Sequence, residues 1–362
     1  MPKKRIRLGS FIKEYTVRNK KNENIPVYSV TNSQGFCTQY FDKEIASKDK
    51  SSYKIVPKGY FAYNPSRIDV GSVDWQRNEE KVIVSPLYNV FSVSDQMDNE
   101  YIFFFLKSDF AKTMIKGKST GSVRNNLKLD MLKEMTVPDI SLEEQKYRAL
   151  TLNKLQKIIN LQKMRIKKLD ELIKARFVEM FGDPVKNTMN WQCKSLNDVC
   201  DGIGDGLHGT PEYDDNGEYP FINGNNLIDG HIIVTPVTKM VAEEIYRRHF
   251  INISTNAILI SINGTLGKLA FYNGEQIMLG KSACYCNLKQ NINKVFVYGV
   301  MKSDAFAKFL DNSSTKSTIK NVGLKAMREY KLIQPPVELQ NQFAAFVAQI
   351  DKSKLHCVLL QN

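Results

Sequence analysis

Residues 152–169 read Leu152-Asn153-Lys154-Leu155-Gln156-Lys157-Ile158-Ile159-Asn160-Leu161-Gln162-Lys163-Met164-Arg165-Ile166-Lys167-Lys168-Leu169. Leu152, Leu155, Ile159, Gln162, Ile166, Leu169, Ile173, Arg176 and Met180 step by three or four positions, and Ile158, Leu161 and Leu172 flank them. That stepping predicts a heptad seam along one helix. The helix extends from Leu142 to Phe181, about 40 residues or roughly 60 Å. Glu143 and Glu144 suit the positive end of the helix dipole. Gly182-Asp183-Pro184 supplies a stop, and Ser141 and Ser195 are candidate caps. Lys154, Lys157, Lys163, Lys167, Lys168 and Lys174 crowd the other faces. A single helix cannot bury such a seam, so a partner is required.

The chain contains that partner, because it repeats itself. Lys107-Ser108-Asp109 recurs as Lys302-Ser303-Asp304, and Ser119 to Asn126 faces Ser314 to Asn321. Leu129 matches Leu324, Glu134 matches Glu329, and Leu142-Glu143-Glu144-Gln145 matches Val337-Glu338-Leu339-Gln340. The offset is 195 residues throughout. A period this long points to duplication of a whole domain with its connector. The second helix starts at Glu338, and Phe343, Val347 and Ile350 continue the seam. Measured from Phe181 by the same offset, this copy is 14 residues short. Its shortness predicts reduced cover near Leu152 and a tendency to self-associate through the seam.

Each half has the same order of elements. β-type runs come first: Val27 to Val30, Lys81 to Val84 and Asn89 to Val93, then His231 to Val234 and Ala257 to Ser261. A helical stretch follows near 101–115 and near 295–310. A short extended exit ends at Pro138 or at Pro335-Pro336, where proline favours a new start. The reading is an α+β chain of two similar mixed domains, each followed by a long helix. Residues 1–138 form the first domain, 139–184 the central helix, 185–336 the second domain and 337–362 the shorter helix.

Composition narrows the function. Apolar residues at 42% and charged residues at 25% exclude a disordered or collagen-like chain. No apolar stretch approaches the roughly 18 residues of a membrane span. Met1-Pro2-Lys3-Lys4-Arg5 leads into no apolar signal, and six scattered cysteines show no framework spacing, so a cytoplasmic setting is expected. Fifty-one basic against 38 acidic residues give a net charge of +13. Residues 1–140 hold 23 basic and 16 acidic side chains, and residues 141–181 hold 10 and 5. This surplus suits a polyanion partner; a basic surface that only confers solubility is the alternative.

Catalytic patterns come close and fail. Gly274 to Ser282 has five residues between its glycines where a phosphate loop needs four. Gly202-Ile203-Gly204-Asp205-Gly206 runs into Pro211, which suits no dinucleotide-binding helix. Tyr63-Asn64-Pro65-Ser66 lacks the second proline and final aromatic of an amino-methyltransferase motif. Cys284 and Cys286 have no histidine near them in sequence, and His208, His231, His249 and His356 form no metal pair. Asp214, Asp215 and Glu218 read as an acidic turn. A basic, duplicated chain without catalytic apparatus points to binding.

Four stretches resemble the DNA specificity subunits of type I restriction-modification systems. They are Lys168 to Pro184, Gly204 to Pro211 with Tyr219 to Leu227, Asn263-Gly264-Thr265-Leu266-Gly267, and the segment ending in Pro335-Pro336-Val337-Glu338-Leu339-Gln340. The resemblance implies two target-recognition domains, each gripping half of an asymmetric double-stranded DNA site. It implies that the two long helices pack as an antiparallel coiled coil and set the half-site spacing. It also implies recruitment of two methyltransferase subunits and of motor-nuclease subunits. This chain would then be no enzyme and bind no cofactor; S-adenosylmethionine, ATP and Mg would act on the partners. A stand-alone DNA-binding regulator is the alternative.

Residue types suggest the DNA contacts. Lys116, Lys118, Ser119, Ser122, Arg124 and Asn125 form one polar, basic loop region, and Lys316, Ser317, Lys320 and Asn321 form its counterpart. Lysine and arginine suit phosphates or guanine, and asparagine suits adenine. Arg67, Arg77, Arg247 and Arg248 are further candidates.

Overall fold

A computed structural model describes residues 4–38, 49–118, 126–184 and 186–359. They form two compact units, Met1–Asn160 and Leu161–Asn362.

The first unit opens with β1 (Arg5–Arg7), β2 (Ile12–Glu14), β3 (Ser29–Thr31), β4 (Gly35–Cys37) and β5 (Lys54–Pro57). Next come β6 (Phe61–Tyr63), β7 (Val73–Trp75), β8 (Lys81–Val84) and β9 (Asn89–Val93). Helices α1 (Asn99–Lys107), α2 (Asp109–Lys118) and α3 (Leu129–Lys133) precede β10 (Thr136–Pro138) and α4 (Leu142–Phe181). The second unit continues through β11 (Cys193–Ser195), α5 (Leu196–Val199), β12 (Cys200–Asp205), β13 (Tyr219–Ile222), β14 (Leu227–Ile228), β15 (His231–Ile232), β16 (Met240–Val241) and α6 (Glu243–Arg248). It ends with β17 (Ala257–Ser261), β18 (Leu269–Tyr272), β19 (Met278–Leu279), β20 (Ala283–Leu288), α7 (Lys294–Met301), α8 (Asp304–Ser313), α9 (Leu324–Glu329), β21 (Lys331–Ile333) and α10 (Val337–Leu359).

The duplication is visible strand by strand. One unit holds a four-stranded sheet ordered β2-β9-β6-β7, the other a four-stranded sheet ordered β12-β20-β17-β18. The alternating apolar residues of these strands face a helical layer. In the first sheet Phe61 lies opposite Phe91, their rings stacked 5.0 Å apart. First and last strands close each domain: β1 pairs with β10 and β11 with β21, both antiparallel.

The helical stretches near 101–115 and 295–310 are each two helices rather than one. The repeated Lys-Ser-Asp is the break. Ser108 Oγ accepts from the amide of Ala111, and Ser303 Oγ from that of Phe306, so serine caps a new helix with aspartate in its first turn.

Another repeated residue joins each domain to its long helix. Gln145 and Gln340 are 1% exposed. Gln145 Oε1 accepts from the Asp98 amide at 2.9 Å, and its Nε2 donates to the Ile140 carbonyl at 3.1 Å. Gln340 Oε1 accepts from the Asn293 amide at 3.0 Å, and its Nε2 donates to the Pro335 carbonyl at 2.8 Å. Asp98 and Asn293 meanwhile cap α1 and α7. Each glutamine satisfies two backbone groups that burial would otherwise leave unpaired.

The seam of α4 finds α10 in the second unit. Phe343 meets Phe177 and Phe181 edge-on at 5.4 and 5.6 Å, and Lys354 Nζ lies 2.8 Å from Asp170. As α10 advances from 343 to 354, its neighbours on α4 fall back from 181 to 170, so the pair is antiparallel. Phe296 of α7 completes the aromatic cluster, and each such ring pair adds ~0.5–1.5 kcal/mol beyond burial. Gly299 makes this approach possible, because a Cβ there would sit 2.9 Å from the Phe177 ring. Helix α4 ends where glycine predicts: Gly182 has φ 76° and donates to the Val178 carbonyl. Ser141 and Ser195 both cap, the latter in a reciprocal box with Asp198.

Candidate nucleic-acid interface

Sheet topology gathers polar loops at one end of each domain. β2 and β6 both run antiparallel to β9, so their C-terminal ends lie together where β9 begins. β12 and β17 stand in the same relation to β20. In the first unit this end carries the β6–β7 loop with Asn64 and Arg67, and the approach to β9 with Ser85 and Tyr88. Ser66 Oγ donates to Asn126 Oδ1 at 2.6 Å, and the Leu127 amide donates to the Pro65 carbonyl. Tyr63 donates its hydroxyl to the Leu127 carbonyl and accepts from Asn89 Nδ2, and burial pushes its pKa well above the ordinary tyrosine value. These bonds fix the β6–β7 loop against Asn126 and Leu127.

The second unit repeats the arrangement with different residues. The Gly264 amide donates to the Lys320 carbonyl at 2.9 Å, and Asn263 Nδ2 donates to Asn321 Oδ1 at 3.4 Å. Asn126 and Asn321, 195 positions apart, therefore hold the same loop in both domains. Ser282 Oγ donates to Asn223 Oδ1 at 2.8 Å and accepts from the Gly224 amide, which sets the turn bearing Asn225. Lys268 Nζ reaches Asn225 Oδ1 at 3.4 Å. Beyond β12, His208 Nε2 lies 2.8 Å from Asp205 Oδ2.

The predicted contact residues fall into separate settings. Lys116 is exposed on α2. The side chain of Lys118 and all of Ser119, Ser122, Arg124 and Asn125 lie outside the described residues. Arg67 is exposed in the β6–β7 loop. Lys316, Ser317, Lys320 and Asn321 sit together in a loop tied down by its own bonds: Ser317 Oγ donates to the Ile319 carbonyl, and Lys320 is ion-paired with Asp311. Arg77 stands apart. It pairs with Asp74 at 2.6 Å and Glu100 at 3.2 Å and lies over the rings of Trp75 and Phe103. Arg247 and Arg248 pair along α6 with Glu243 and Glu244.

Nothing in the sequence marks Asn64, Asn225, Asn263 or Lys268 as contact residues. Asn263 meets Asn321 58 positions away and Lys268 meets Asn225 43 positions away, and the one signal in the sequence is the offset linking Asn126 to Asn321. Chemically these loops offer amides, hydroxyls and ammonium groups, a set made for hydrogen-bonding and charge recognition. Among the described residues no group of three His, Cys, Asp or Glu could hold a metal ion. All six cysteines are free thiols. Cys286 is pushed to a higher pKa by hydrogen bonding with Cys200 and Cys284 and by burial. No described helix is long and apolar enough to cross a membrane.

Fold and loop placement define a duplicated scaffold, two mixed domains that each lead into a long helix. The family model for the type I restriction modification DNA specificity domain matches residues 7–171 and again 189–358. The chain belongs to that family. Its fold is shared with a chain from a structure on complex assembly and conformational transition of the type I R-M system, at 18% identity and TM-score 0.55, covering 100% of this chain and 96% of that one. The type I restriction-modification S subunit from M. genitalium is similar at 14% identity and TM-score 0.55, with coverage of 99% and 93%.

Proposed function

We propose that this chain is the non-catalytic DNA specificity subunit of a type I restriction-modification complex, working in the cytoplasm. Each domain reads one half of an asymmetric, bipartite duplex site through the loop end of its sheet. Helices α4 and α10 set the spacing between half-sites. The observation that carries the reading is the same loop end built twice on one scaffold, with different residues in each copy. Two readers of one design but different side chains suit two unlike half-sites. The DNA-facing residues include Lys116, Lys118, Ser119, Ser122, Arg124 and Asn125 in the first half, and Lys316, Ser317, Lys320 and Asn321 in the second.

The partners are two methyltransferase subunits, which use S-adenosylmethionine, and motor-nuclease subunits, which use ATP and Mg. Helix α4 supports this. Tyr147, Leu150, Leu155, Ile158, Leu161 and Met164 are 47–67% exposed on it, an apolar stripe suited to a partner helix.

The test exchanges residues 1–138 for the matching domain of a relative and maps methylated adenines in cells. One half of the methylated motif should change and the other should persist. If both halves change, or neither does, the two-reader model fails. Inserting four residues near Lys163 adds about one helical turn and should lengthen the spacer by roughly one or two base pairs. Pull-down that recovers no methyltransferase subunit would favour a stand-alone regulator instead.

A further inference from the structure

Apolar side chains scattered singly over a surface are ordinary. Here their placement is not scattered. Among the described residues the three most exposed aliphatic side chains are Val237 at 85%, Leu87 at 79% and Ile319 at 64%. All three stand at the loop end of a four-stranded sheet. Leu87 lies two residues before β9 begins. Val237 is tied in through Asn226, whose Nδ2 donates to the Ile233 carbonyl at 2.9 Å and to Thr238 Oγ1 at 3.2 Å. The Gly224 amide of the same turn donates to Ser282 Oγ, one residue before β20. Ile319 sits in the 315–321 loop, which Asn263 and the Gly264 amide hold to the exit of β17.

Each tip is carried on backbone that is bonded down. In Ser85-Pro86-Leu87-Tyr88 the Tyr88 amide donates to the Ser85 carbonyl at 3.0 Å, and Lys54 Nζ donates to the Tyr88 carbonyl at 2.6 Å. In Thr235-Pro236-Val237-Thr238 the Thr238 amide donates to the Thr235 carbonyl at 2.9 Å, and the Thr235 amide to Thr238 Oγ1 at 2.9 Å. Proline fixes φ at the second position of both turns. The Ile319 carbonyl accepts from Ser317 Oγ at 2.7 Å. Three aliphatic groups are thus held out in water on ordered backbone, which leaves little backbone entropy to lose on binding.

The surroundings select the occupant. A protein-docking patch is contiguous apolar surface of a few hundred Å². Each tip here is flanked in its own loop by hydroxyls or an ammonium group: Ser85, Thr235 and Thr238, Ser317 and Lys320. The major groove of duplex DNA offers the matching mixture. It presents hydrogen-bonding groups at every base pair and one apolar group, the C5-methyl of thymine. Insertion between base steps suits these tips less, because the flanking hydroxyls would be buried there without partners.

We propose that Leu87 in the first domain, and Val237 and Ile319 in the second, each pack on a thymine C5-methyl in the half-site that their domain reads. The inference rests on the DNA-reading function above and deepens it, adding three residues and the base feature they recognise.

The experiment gives the full chain, with any methyltransferase subunit it captures, a pool of duplexes with a randomised centre, and sequences what is retained. The selected motif should hold thymine in both halves. Replacing those thymines by deoxyuridine removes only the methyl and should weaken binding about four-fold for each contacted methyl, the contribution of one buried methyl group. Leu87→Ser should lose the thymine preference in one half, and Val237→Ser and Ile319→Ser in the other. Each should bind the thymine duplex about four-fold more weakly than wild type and the deoxyuridine duplex equally well. Leu87→Met keeps an apolar tip and should keep the preference. Circular dichroism checks that each variant is folded. Variants that bind the thymine duplex as wild type does, or that weaken both duplexes equally, would overturn the methyl contact while leaving DNA recognition standing. A rise in 2-aminopurine fluorescence beside the selected thymines, present with wild type and absent with the variants, would assign the tips to insertion between bases and also overturn it. A wild-type chain that selects no sequence would sink the reading function along with the proposal.

Discussion

Replacing Gln340 by leucine tests whether the repeated glutamine is what fixes each long helix to its domain. The change keeps the side chain's approximate bulk and removes both polar ends. The Asn293 amide loses its acceptor at 3.0 Å, and the Pro335 carbonyl loses its donor at 2.8 Å. Gln340 is 1% exposed, so water cannot simply take over. Each of the two orphaned buried groups costs about 1–3 kcal/mol, which puts the loss at roughly 2–6 kcal/mol. At ~2–4 °C per kcal/mol for a domain of this size, the melting temperature should fall by roughly 4–24 °C. Gln145→Leu removes the matching pair, at the Asp98 amide and the Ile140 carbonyl, and should lower the stability of the first unit by a similar amount. Differential scanning calorimetry gives the size of each loss. Hydrogen exchange at the Asn293 and Asp98 amides assigns it to the right unit. Glu338→Gln, exposed on the same turn, serves as the control and should stay within about 0.5 kcal/mol. If both leucine variants melt within a degree of the parent, or both open the same amide, the latch has been misread.

Phe343→Ala should destabilise the second unit by about 3–5 kcal/mol, since Phe343 is 1% exposed among Phe177 and Phe181; denaturant titration measures it, and a loss under 1 kcal/mol would show the cluster to be dispensable. Arg77→Gln should cost about 1–2 kcal/mol through its bonds to Asp74 and Glu100, discounted for partial exposure, yet leave the salt slope of DNA binding unchanged; a slope lowered by one would mean the guanidinium reaches phosphate after all. Tyr330 has its pKa raised from 10.0 to about 12 by burial. The unfolded chain therefore ionises it first, and the stability it confers is present below pH 10.0 and lost as pH rises toward about 12. Urea titrations across that window should show a fall that Tyr330→Phe reduces, and an equal fall in the variant would clear Tyr330 of the effect.

Periodicity made the longest element legible. Leu142 to Phe181 was readable end to end because a seam, an acidic first turn and a Gly-Asp-Pro stop agree over 40 residues. The offset of 195 exposed the duplication and marked Ser108, Ser303, Gln145 and Gln340 as repeated, but not why. A capping serine and a buried glutamine look the same in sequence as exposed ones; only their partners distinguish them. The stretch near 101–115 reads as one continuous helix in sequence because its composition is helical on both sides of the Ser108 cap. At the loop ends of the sheets, charge marks Lys320 and Arg67 in the sequence, whereas Asn263 and Asn64 are brought to the same end by strand direction. Arg77 shows the opposite case: its charge advertised a ligand, and its partners Asp74 and Glu100 come from the same domain.

The glutamine latch and the polar loops occupy opposite ends of the same strands. Asn293 follows the exit of β20, and Asp98 follows that of β9, while the loops gather where those strands begin. Five or six residues of strand, about 15–20 Å, lie between them. Substitutions in the loops leave the bonds of Gln145 and Gln340 intact, and substitutions at the latch leave the loops' amides and lysines in register. The strands thus act as mutational insulation. A loop substitution in one domain can therefore change the chemistry offered at that domain's loop end while leaving the joint between the domain and its helix as it was.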